Sequence, residues 1–175
     1  REGHDQAEYS IREIFERLMP EKRLEDRIFR SIVSEDMVAD DASPALADIR
    51  RKIKQTNSSI KEMLQKYVSG AYSKYLQENI VTQRNGRYVV PVKAEYRSEV
   101  RGLVHDTSAS GATLFIEPIA VIDANNKLRE LEASETHEIE RILYDLSASL
   151  SAFSGELRLN YDNITFLAFI FGCAQ

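Results

Sequence analysis

The side chains capable of acid–base chemistry lie close together in the middle of the chain. His105 and Asp106 are adjacent, Ser108 and Ser110 follow, and Glu117 lies a few residues further on. These are the residue types of hydrolytic or general acid–base centres. Adjacent residues of a strand point to opposite faces, so His105 and Asp106 do not form a ready relay. Structural roles in a glycine-containing loop are therefore favoured for Asp106 and the serines, and no catalytic residue is assigned.

Metal and nucleotide chemistry have less support in the sequence. A metal site needs three or four converging ligands, and only His105, Asp106 and Glu117 offer themselves. The single cysteine, Cys173, supplies neither a thiolate cluster nor an internal disulfide, which favours a reducing, intracellular setting. No glycine-rich run ends in Lys-Ser or Lys-Thr, as a phosphate-binding loop requires. We therefore expect no metal, no cofactor and no enzymatic activity of these 175 residues alone.

A small β-sheet is predicted to carry these side chains. The stretch RNGRYVVPVKAEYRSEVRGLVHDTSASGATLFIEP covers residues 84–118, and its Asn85-Gly86 pair is a strong signal for a two-residue hairpin turn. Pro91 lies inside the second strand, which favours an edge strand or a bulge there. RGLVHD and TLFIEP predict two further strands joined by a turn at Gly111. The prediction is a module of about four strands, in an order that stays open.

Long helices are predicted on both sides of this sheet. From Pro44 to Tyr67 the apolar residues recur at alternating spacings of three and four, the pattern of a coiled-coil seam. Ser43 is a natural N-cap for this helix, and continuation to about Lys74 would make it roughly 45 Å long. A second seam occupies residues 128–153. We expect the two segments to form an antiparallel pair with the β insert at its far end.

The charge distribution supports this pairing. Residues 49–74 are strongly basic, whereas residues 117–145 are mostly acidic. Exposed ion pairs between two such helices contribute about 0.2–1 kcal/mol each. The alternative is that the basic run follows a phosphate backbone. Pairing within a charge-complementary hairpin is the favoured interpretation.

Shorter helices are predicted toward both ends. Residues 11–18 and 24–32 show helical apolar spacing and are separated by a break at Pro20. The last segment, NITFLAFIFGCAQ, is apolar on nearly all sides, and we expect it to be buried against the base of the helical pair. The ends together are expected to form one small helical body.

The predicted fold class is mainly α with a small β insert, in which a long antiparallel, coiled-coil-like lever carries a roughly four-stranded β clamp. The expected division is a helical core with the ascending helix at 1–75, the β clamp at 76–118, and the descending helix with its return into the core at 119–175.

Composition excludes some functional classes. An apolar content of 43% with 8 Tyr and 7 Phe is enough for a packed core. The net charge of −5 argues mildly against a free-standing nucleic-acid binder. No apolar run reaches membrane-spanning length and the start is unlike a signal peptide, so we expect a cytoplasmic protein with no membrane partner. The chain starts without Met and ends in an apolar pattern, which suggests a piece of something larger.

Three stretches of the sequence resemble a known family. DDASPALADIRRKI, the stretch of residues 84–118 quoted above, and NNKLRELEASETHEIERIL are similar to the core and clamp region of the second bacterial MutS subfamily. The resemblance covers most of the chain from about Ile28 onward. The ending FLAFIFGCAQ departs from the family's usual pattern, which is richer in Ala and Lys at this point.

The resemblance implies a multidomain, homodimeric parent protein with an ATPase that uses ATP and Mg²⁺ and a nuclease-bearing Smr domain, neither of which lies in these residues. It further implies binding of branched or duplex DNA, suppression of homologous recombination and, in some members, ribosomal RNA contacts during rescue of collided ribosomes. The alternative is a protein-interaction or purely mechanical arm, with nucleic acid bound elsewhere.

The family's binding role places candidate contacts to the nucleic-acid backbone in the motif RNGRYVVPVKAEYR. Arginine side chains of this motif could instead pair with Glu95 and Glu99 across the sheet, and the two interpretations are weighted equally. The candidates are Arg84, Arg87, Lys93 and Arg97, with Arg101 added because of its position just beyond the motif.

Overall fold

The computed structural model describes residues 11–173, a mainly helical chain with two small antiparallel sheets. The coarse fold class is therefore as predicted. Its helices are α1 (Lys22–Ser31), α2 (Pro44–Ser69), α3 (Ile122–Ala152) and α4 (Ser154–Cys173), with further helical residues at 11–16. Its strands are β1 (Ile32–Ser34), β2 (Met37–Val38), β3 (Thr82–Arg84), β4 (Arg87–Lys93), β5 (Gly102–Thr107) and β6 (Thr113–Pro118).

The chain divides into two compact units. One is Ser43–Ile139, and the other combines the residues up to Ala42 with those from Glu140 onward. The first unit contains the four-stranded sheet and the second contains the β1–β2 hairpin. No helix within residues 11–173 is both long and apolar enough to cross a membrane.

The four-stranded sheet has the order β3-β4-β6-β5, and each neighbouring pair is antiparallel. The predicted hairpin between β3 and β4 is confirmed, with φ of 53° at Asn85 and 72° at Gly86. Both values lie in the left-handed region, as a type I′ hairpin turn requires at its two central residues. Gly111, with φ of 74°, makes the predicted turn between β5 and β6.

Pro91 lies in a central strand, which corrects the prediction of an edge strand or bulge. It pairs in regular register with Phe115 of β6. The carbonyl oxygen of Pro91 accepts a hydrogen bond from the backbone N–H of Gln77 at 2.9 Å on the other side of β4. Strand β3 pairs only with residues 87–89, so it ends before Pro91 is reached. Proline has no backbone N–H to donate, and at this position β4 has no neighbouring strand on that side that would accept such a hydrogen bond.

Helix α2 begins as predicted and ends earlier than predicted. The Ser43 hydroxyl oxygen accepts a hydrogen bond from the Leu46 N–H at 3.0 Å, and Pro44 is the first helical residue. The helix stops at Ser69 rather than near Lys74, because Gly70 adopts an extended backbone. A Cβ at position 70 would collide with the carbonyl oxygen of Lys66. With 26 residues the helix is about 39 Å long.

The core of the unit Ser43–Ile139 joins α2 to the sheet. Ile60 and Leu64 of α2 are fully buried in one cluster with apolar residues of β4, β6 and the start of α3. Leu64 is outside the predicted seam, and the seam residues Met63 and Tyr67 are only partly buried. The second half of α2 therefore packs on the sheet. The continuous helix–helix seam and the lever geometry stay predictions.

The other unit departs from the predictions in two ways. Ile32 begins β1 instead of ending a helix, and it pairs with Val38 of β2 in a short hairpin that the periodicity did not indicate. Helix α4 is not buried in the described residues, because Leu167 is its only buried residue whereas Phe166 and Phe169 are 54% and 67% exposed. An exposed apolar helix of this kind is unusual on a monomeric surface.

Candidate nucleic-acid interface

A fully buried carboxylate lies at the centre of the sheet's polar network. Glu117 of β6 has no solvent exposure. Its Oε1 accepts hydrogen bonds from Arg87 Nη1 at 2.8 Å and from Asn125 Nδ2 at 2.7 Å, and its Oε2 lies 2.5 Å from His105 Nε2. A buried charge is tolerated only with such compensation. We call these four residues the Glu117 cluster.

Three elements bring the Glu117 cluster together. Arg87 begins β4, Asn125 lies in the first turn of α3, and His105 lies at an irregularity in β5. The register of β5 with β6 shifts between Val104 and Asp106, so His105 is the extra residue of a bulge. Bulges re-aim side chains in this way. The bulge turns His105 toward the carboxylate of the neighbouring strand.

Asn125 also fixes the helix to the sheet. Its Oδ1 accepts the backbone N–H of Tyr88 at 3.1 Å, and its Nδ2 donates to the carbonyl oxygen of Tyr88 at 3.1 Å. Asn126, the next residue, accepts a hydrogen bond from Arg87 Nη2 at 2.7 Å. Side chains in the first turn of α3 thus bind both the backbone of Tyr88 and the side chain of Arg87 in β4. Arg87 and Glu117 thus belong to the internal architecture of the sheet.

His105 and Asp106, which are adjacent in the sequence, have different partners. His105 contacts Glu117, whereas the Oδ2 atom of Asp106 lies 3.3 Å from Arg84 Nε. Ser108 Oγ accepts the backbone N–H of Thr113 at 3.0 Å, which ties down the loop as predicted. Among residues 11–173 no group of three or more His, Cys, Asp or Glu side chains converges as metal ligands would.

The Glu117 cluster was the part of the site that the sequence prediction missed. The signal that could have indicated it is the placement of Glu117 between Ile116 and Pro118, in a strand otherwise facing the core. A charged residue in such a strand needs partners from neighbouring elements. Nothing in the local sequence identifies Asn125 as one of them.

The predicted backbone-contact candidates fall into two groups. Arg84 and Arg87 have carboxylate partners, Asp106 and Glu117 respectively, and the Arg84 guanidinium lies 3.9 Å above the Phe115 ring. Both side chains are engaged within the sheet. The alternative prediction, that these arginines pair with Glu95 and Glu99, named the wrong carboxylates. Neither Glu95 nor Glu99 makes an ion pair within residues 11–173.

The second group of candidates has no carboxylate partner in the described part of the chain. Arg97 donates from Nη2 to the carbonyl oxygen of Gly102 at 3.0 Å, and Lys93 donates to that of Lys74 at 3.4 Å. Arg101 is exposed. Because backbone carbonyls do not cancel a full positive charge, Lys93, Arg97 and Arg101 keep their attraction for an external anion.

Helix α2 adds further cations to the same unit. Arg50 forms an ion pair with Glu135 of α3 at 2.6 Å, which is one pair of the predicted charge-complementary kind. Lys54, Lys61 and Lys66, by contrast, have no carboxylate partner among residues 11–173. The acidic stretch of α3 therefore neutralises only part of the basic helix.

The N-terminal part of α2 neutralises its own charges. Asp48 makes ion pairs with Arg51 and, at 2.6 Å, with Lys52. The hydrogen bond from Lys52, followed by that from Arg51, lowers the pKa of Asp48 below its ordinary value of 3.8. This lowering keeps Asp48 ionised at neutral pH. Arg51 and Lys52 are thus less available to an external anion than the lysines further along the helix.

Open grooves border α2 on the side of the sheet. One, of about 680 Å³, is lined by Lys61, Tyr88 and polar residues of β3. The second, of about 470 Å³, shares Lys61 and Tyr88 and extends past Lys54. Lys54 and Lys61 therefore border a concave surface.

These features define a class of protein: a mainly helical protein with a small β insert. Its buried carboxylate, Glu117, is paired with Arg87, and several of its other cations have no carboxylate partner in the described residues. Comparison with known proteins makes the assignment specific. No family model matches the chain. Proteins named endonuclease MutS2 are 51% identical over 94% of this chain in Acetivibrio thermocellus, 49% over 92% in Ruminiclostridium cellulolyticum and 50% over 86% in Clostridioides difficile.

The predicted resemblance is confirmed: this chain is a segment of MutS2-family sequence. The chain spans about a fifth of the length of these relatives, since the matched regions are 21%, 20% and 19% of them.

Proposed function

We propose that this segment contacts the phosphate backbone of nucleic acid, without reading its sequence, as the clamp of a MutS2-type protein. The observation that carries the proposal is a group of cations in the unit Ser43–Ile139, none of which has a carboxylate partner within residues 11–173. They include Lys54, Lys61, Lys66, Lys93, Arg97 and Arg101. Such cations bind phosphates by releasing condensed counterions, whatever the base sequence. The similarity to proteins named endonuclease supports nucleic acid as the polyanion.

The wider role follows the family resemblance. In the complete protein, a homodimer with ATP, Mg²⁺ and a nuclease domain would use this segment to hold branched DNA during suppression of recombination. Contact with ribosomal RNA during ribosome rescue is the corresponding proposal for a second polyanion. Both require the same backbone chemistry, because phosphates are common to DNA and RNA.

Charge reversal in the complete protein tests the proposal. Replacing Lys93, Arg97 and Arg101 by Glu should weaken binding to a branched duplex. The slope of log affinity against log salt concentration should become less steep, by about 0.9 for each phosphate contact that is lost. Fluorescence anisotropy at several salt concentrations measures both effects. Arg87 is left unchanged because its loss would damage the Glu117 cluster.

The matched control reverses Arg23, Arg30 and Arg158, three exposed arginines of the other unit, and changes the net charge equally. Unchanged affinity and salt slope in the first variant, or equal changes in both variants, would contradict the proposed interface. Crosslinks from residues 93–101 to protein instead of nucleic acid would favour the alternative of a protein-interaction or mechanical arm.

A further inference from the structure

Four tyrosines of the unit Ser43–Ile139 form a continuous series of ring contacts. The ring centroids of Tyr67 and Tyr72 are 4.7 Å apart with an interplanar angle of 29°, which is a stacked arrangement. Tyr72 and Tyr75 are 6.3 Å apart, and Tyr75 and Tyr96 are 5.2 Å apart, both tilted. These distances are in the range where aromatic pairs attract. We call these residues the tyrosine series.

The end of α2 creates the series. Tyr67 lies in the last turn of the helix, and the chain leaves the helix at Gly70. It then turns back so that the ring of Tyr72 stacks on that of Tyr67. Tyr75 and Tyr96 follow from two 3₁₀ turns, Ser73–Tyr75 and Ala94–Tyr96. The sequence spacing of these residues shows no periodicity, so only the fold reveals their contact.

Core packing accounts for three of the four rings. Tyr67, Tyr75 and Tyr96 are partly buried against the apolar cluster of the sheet and α2. Burial, and then the neighbouring Tyr72, raises the pKa of the Tyr67 hydroxyl, which keeps this ring neutral. Tyr72 is different, because it is 40% exposed and is not part of that cluster. The series therefore presents one accessible ring on a rigid aromatic base.

Two lysines border the series. Lys74 Nζ lies 4.9 Å from the centroid of Tyr75, and Lys93 Nζ lies 5.9 Å from that of Tyr96. Lys93 also donates to the carbonyl oxygen of Lys74, so the two chain segments are held together. Neither ammonium group has a carboxylate partner within residues 11–173. An accessible aromatic ring beside unpaired cations is the combination that binds single-stranded nucleic acid.

We propose that the tyrosine series is a binding site for an unpaired nucleotide, whose base stacks on Tyr72 and whose adjoining phosphates contact Lys74 and Lys93. This inference rests on the proposed function and makes it more specific. A base inside a duplex has both faces covered by its neighbours, so a duplex offers Tyr72 nothing to stack on. The site therefore selects unpaired strands, such as those at a branch or loop, over continuous duplex.

The chemical requirements of such a site are modest. Every base has a π-face, so the site reads no sequence. The phosphates need only point charges, which lysine supplies. No covalent step and no cofactor is involved.

The test compares Tyr72→Ala with wild type in the complete protein, using a single-stranded oligonucleotide and a blunt duplex of equal length. One base of the single strand is replaced by fluorescent 2-aminopurine, whose emission falls on stacking. Tyr72→Ala should lower the affinity for the single strand about 5-fold or more and reduce the quenching of 2-aminopurine, in keeping with stacking contributions of other proteins. The duplex affinity should change less than about 2-fold, because no stacked base is lost.

Two controls separate stacking from general damage. Tyr72→Phe keeps the ring and should keep both the affinity and the quenching. Tyr144→Ala removes a 74%-exposed tyrosine of the other unit and should change neither. If Tyr72→Ala affects duplex and single strand equally, or affects neither, the stacking site is overturned.

Failure of the stacking site can be distinguished from failure of the proposed backbone interface. If reversal of Lys93, Arg97 and Arg101 weakens duplex binding while Tyr72→Ala changes nothing, the backbone interface stands and the stacking site does not. If the charge reversal has no effect on the duplex, the backbone interface itself is contradicted.

Discussion

Cationic residues that lie close together in the sequence differ in their ion pairing within the fold. Arg87 and Lys93 belong to the same short motif, yet Arg87 donates to the buried Glu117 and Lys93 has no carboxylate partner in residues 11–173. Sequence similarity alone treats them alike. The proposed contacts to the nucleic-acid backbone are therefore assigned to cations that form no ion pair with a carboxylate in the described residues.

At the residue scale, replacement of Glu117 is the sharpest test of the Glu117 cluster. Glu117→Ala leaves the Arg87 charge without its buried partner, and breaking a buried pair in this way costs about 3–5 kcal/mol of the free energy of unfolding. Urea unfolding followed by circular dichroism measures the change. Glu95→Ala, which removes an exposed carboxylate without an ion pair in the described residues, should cost less than about 0.5 kcal/mol. A comparable loss in the two variants would contradict the structural role of Glu117.

At the scale of elements, local sequence signals predicted the boundaries that are set by local chemistry. Ser43 and Pro44 indicated the start of α2, and Asn85-Gly86 indicated the β3–β4 hairpin, because caps and tight turns depend on a few neighbouring residues. Both predictions are confirmed.

The Ser43 cap can be measured. Besides accepting the Leu46 N–H, the Ser43 hydroxyl lies 2.6 Å from Oε1 of Glu138 on α3, to which it donates. Ser43→Ala removes both bonds and should lower the free energy of unfolding by about 1–2 kcal/mol. Thermal denaturation of the chain detects such a loss as a lower Tm.

Ser59, an exposed serine in the middle of the same helix, is the matched control. Ser59→Ala should leave the Tm unchanged or raise it slightly, since alanine has the higher helix propensity. An equal loss in both variants would mean that Ser43 stabilises the helix no more than any other serine.

What sequence did not predict at this scale depends on distant contacts. Pro91 could be assigned to a central strand only by knowing that β3 stops beside Val89 and that Gln77 occupies the position beyond it. Leu64 is buried because the sheet returns to α2, which no helical periodicity reveals. The tyrosine series likewise joins residues from three separate turns. The basic helix was predicted to be neutralised by α3, and within residues 11–173 Arg50 forms such a pair with Glu135 whereas Lys54, Lys61 and Lys66 form none.

At the scale of the whole molecule, the division into two units sets which properties each part can have. The unit Ser43–Ile139 has a closed apolar core and the cationic surface. The other unit exposes most of α4, including Phe166, Phe169 and Phe171. The apolar composition of α4 predicted burial, but composition does not say what covers a helix.

Exposure of α4 predicts a solution property of this chain. A dye that fluoresces on apolar surfaces, such as anilinonaphthalene sulfonate, should bind the native chain. Replacing Phe166 and Phe169 by Ser should reduce the emission at least twofold, because about half or more of each side chain is exposed. Replacing the buried Leu167 by Ala should not reduce it. Equal emission from wild type and the double variant would contradict the exposure of this face.

The bulge at His105 affects how readily copies of this molecule aggregate through the edge of the sheet. Strand β5 is an edge strand of the four-stranded sheet, and a straight, unpaired edge strand is a template on which strands of other molecules can pair and form fibres. The extra residue breaks the even spacing of backbone donors and acceptors along that edge. Deleting His105 would restore the spacing and at the same time remove one hydrogen-bonding partner of Glu117. One residue thus both contacts the buried carboxylate of Glu117 and limits the growth of the sheet into larger assemblies.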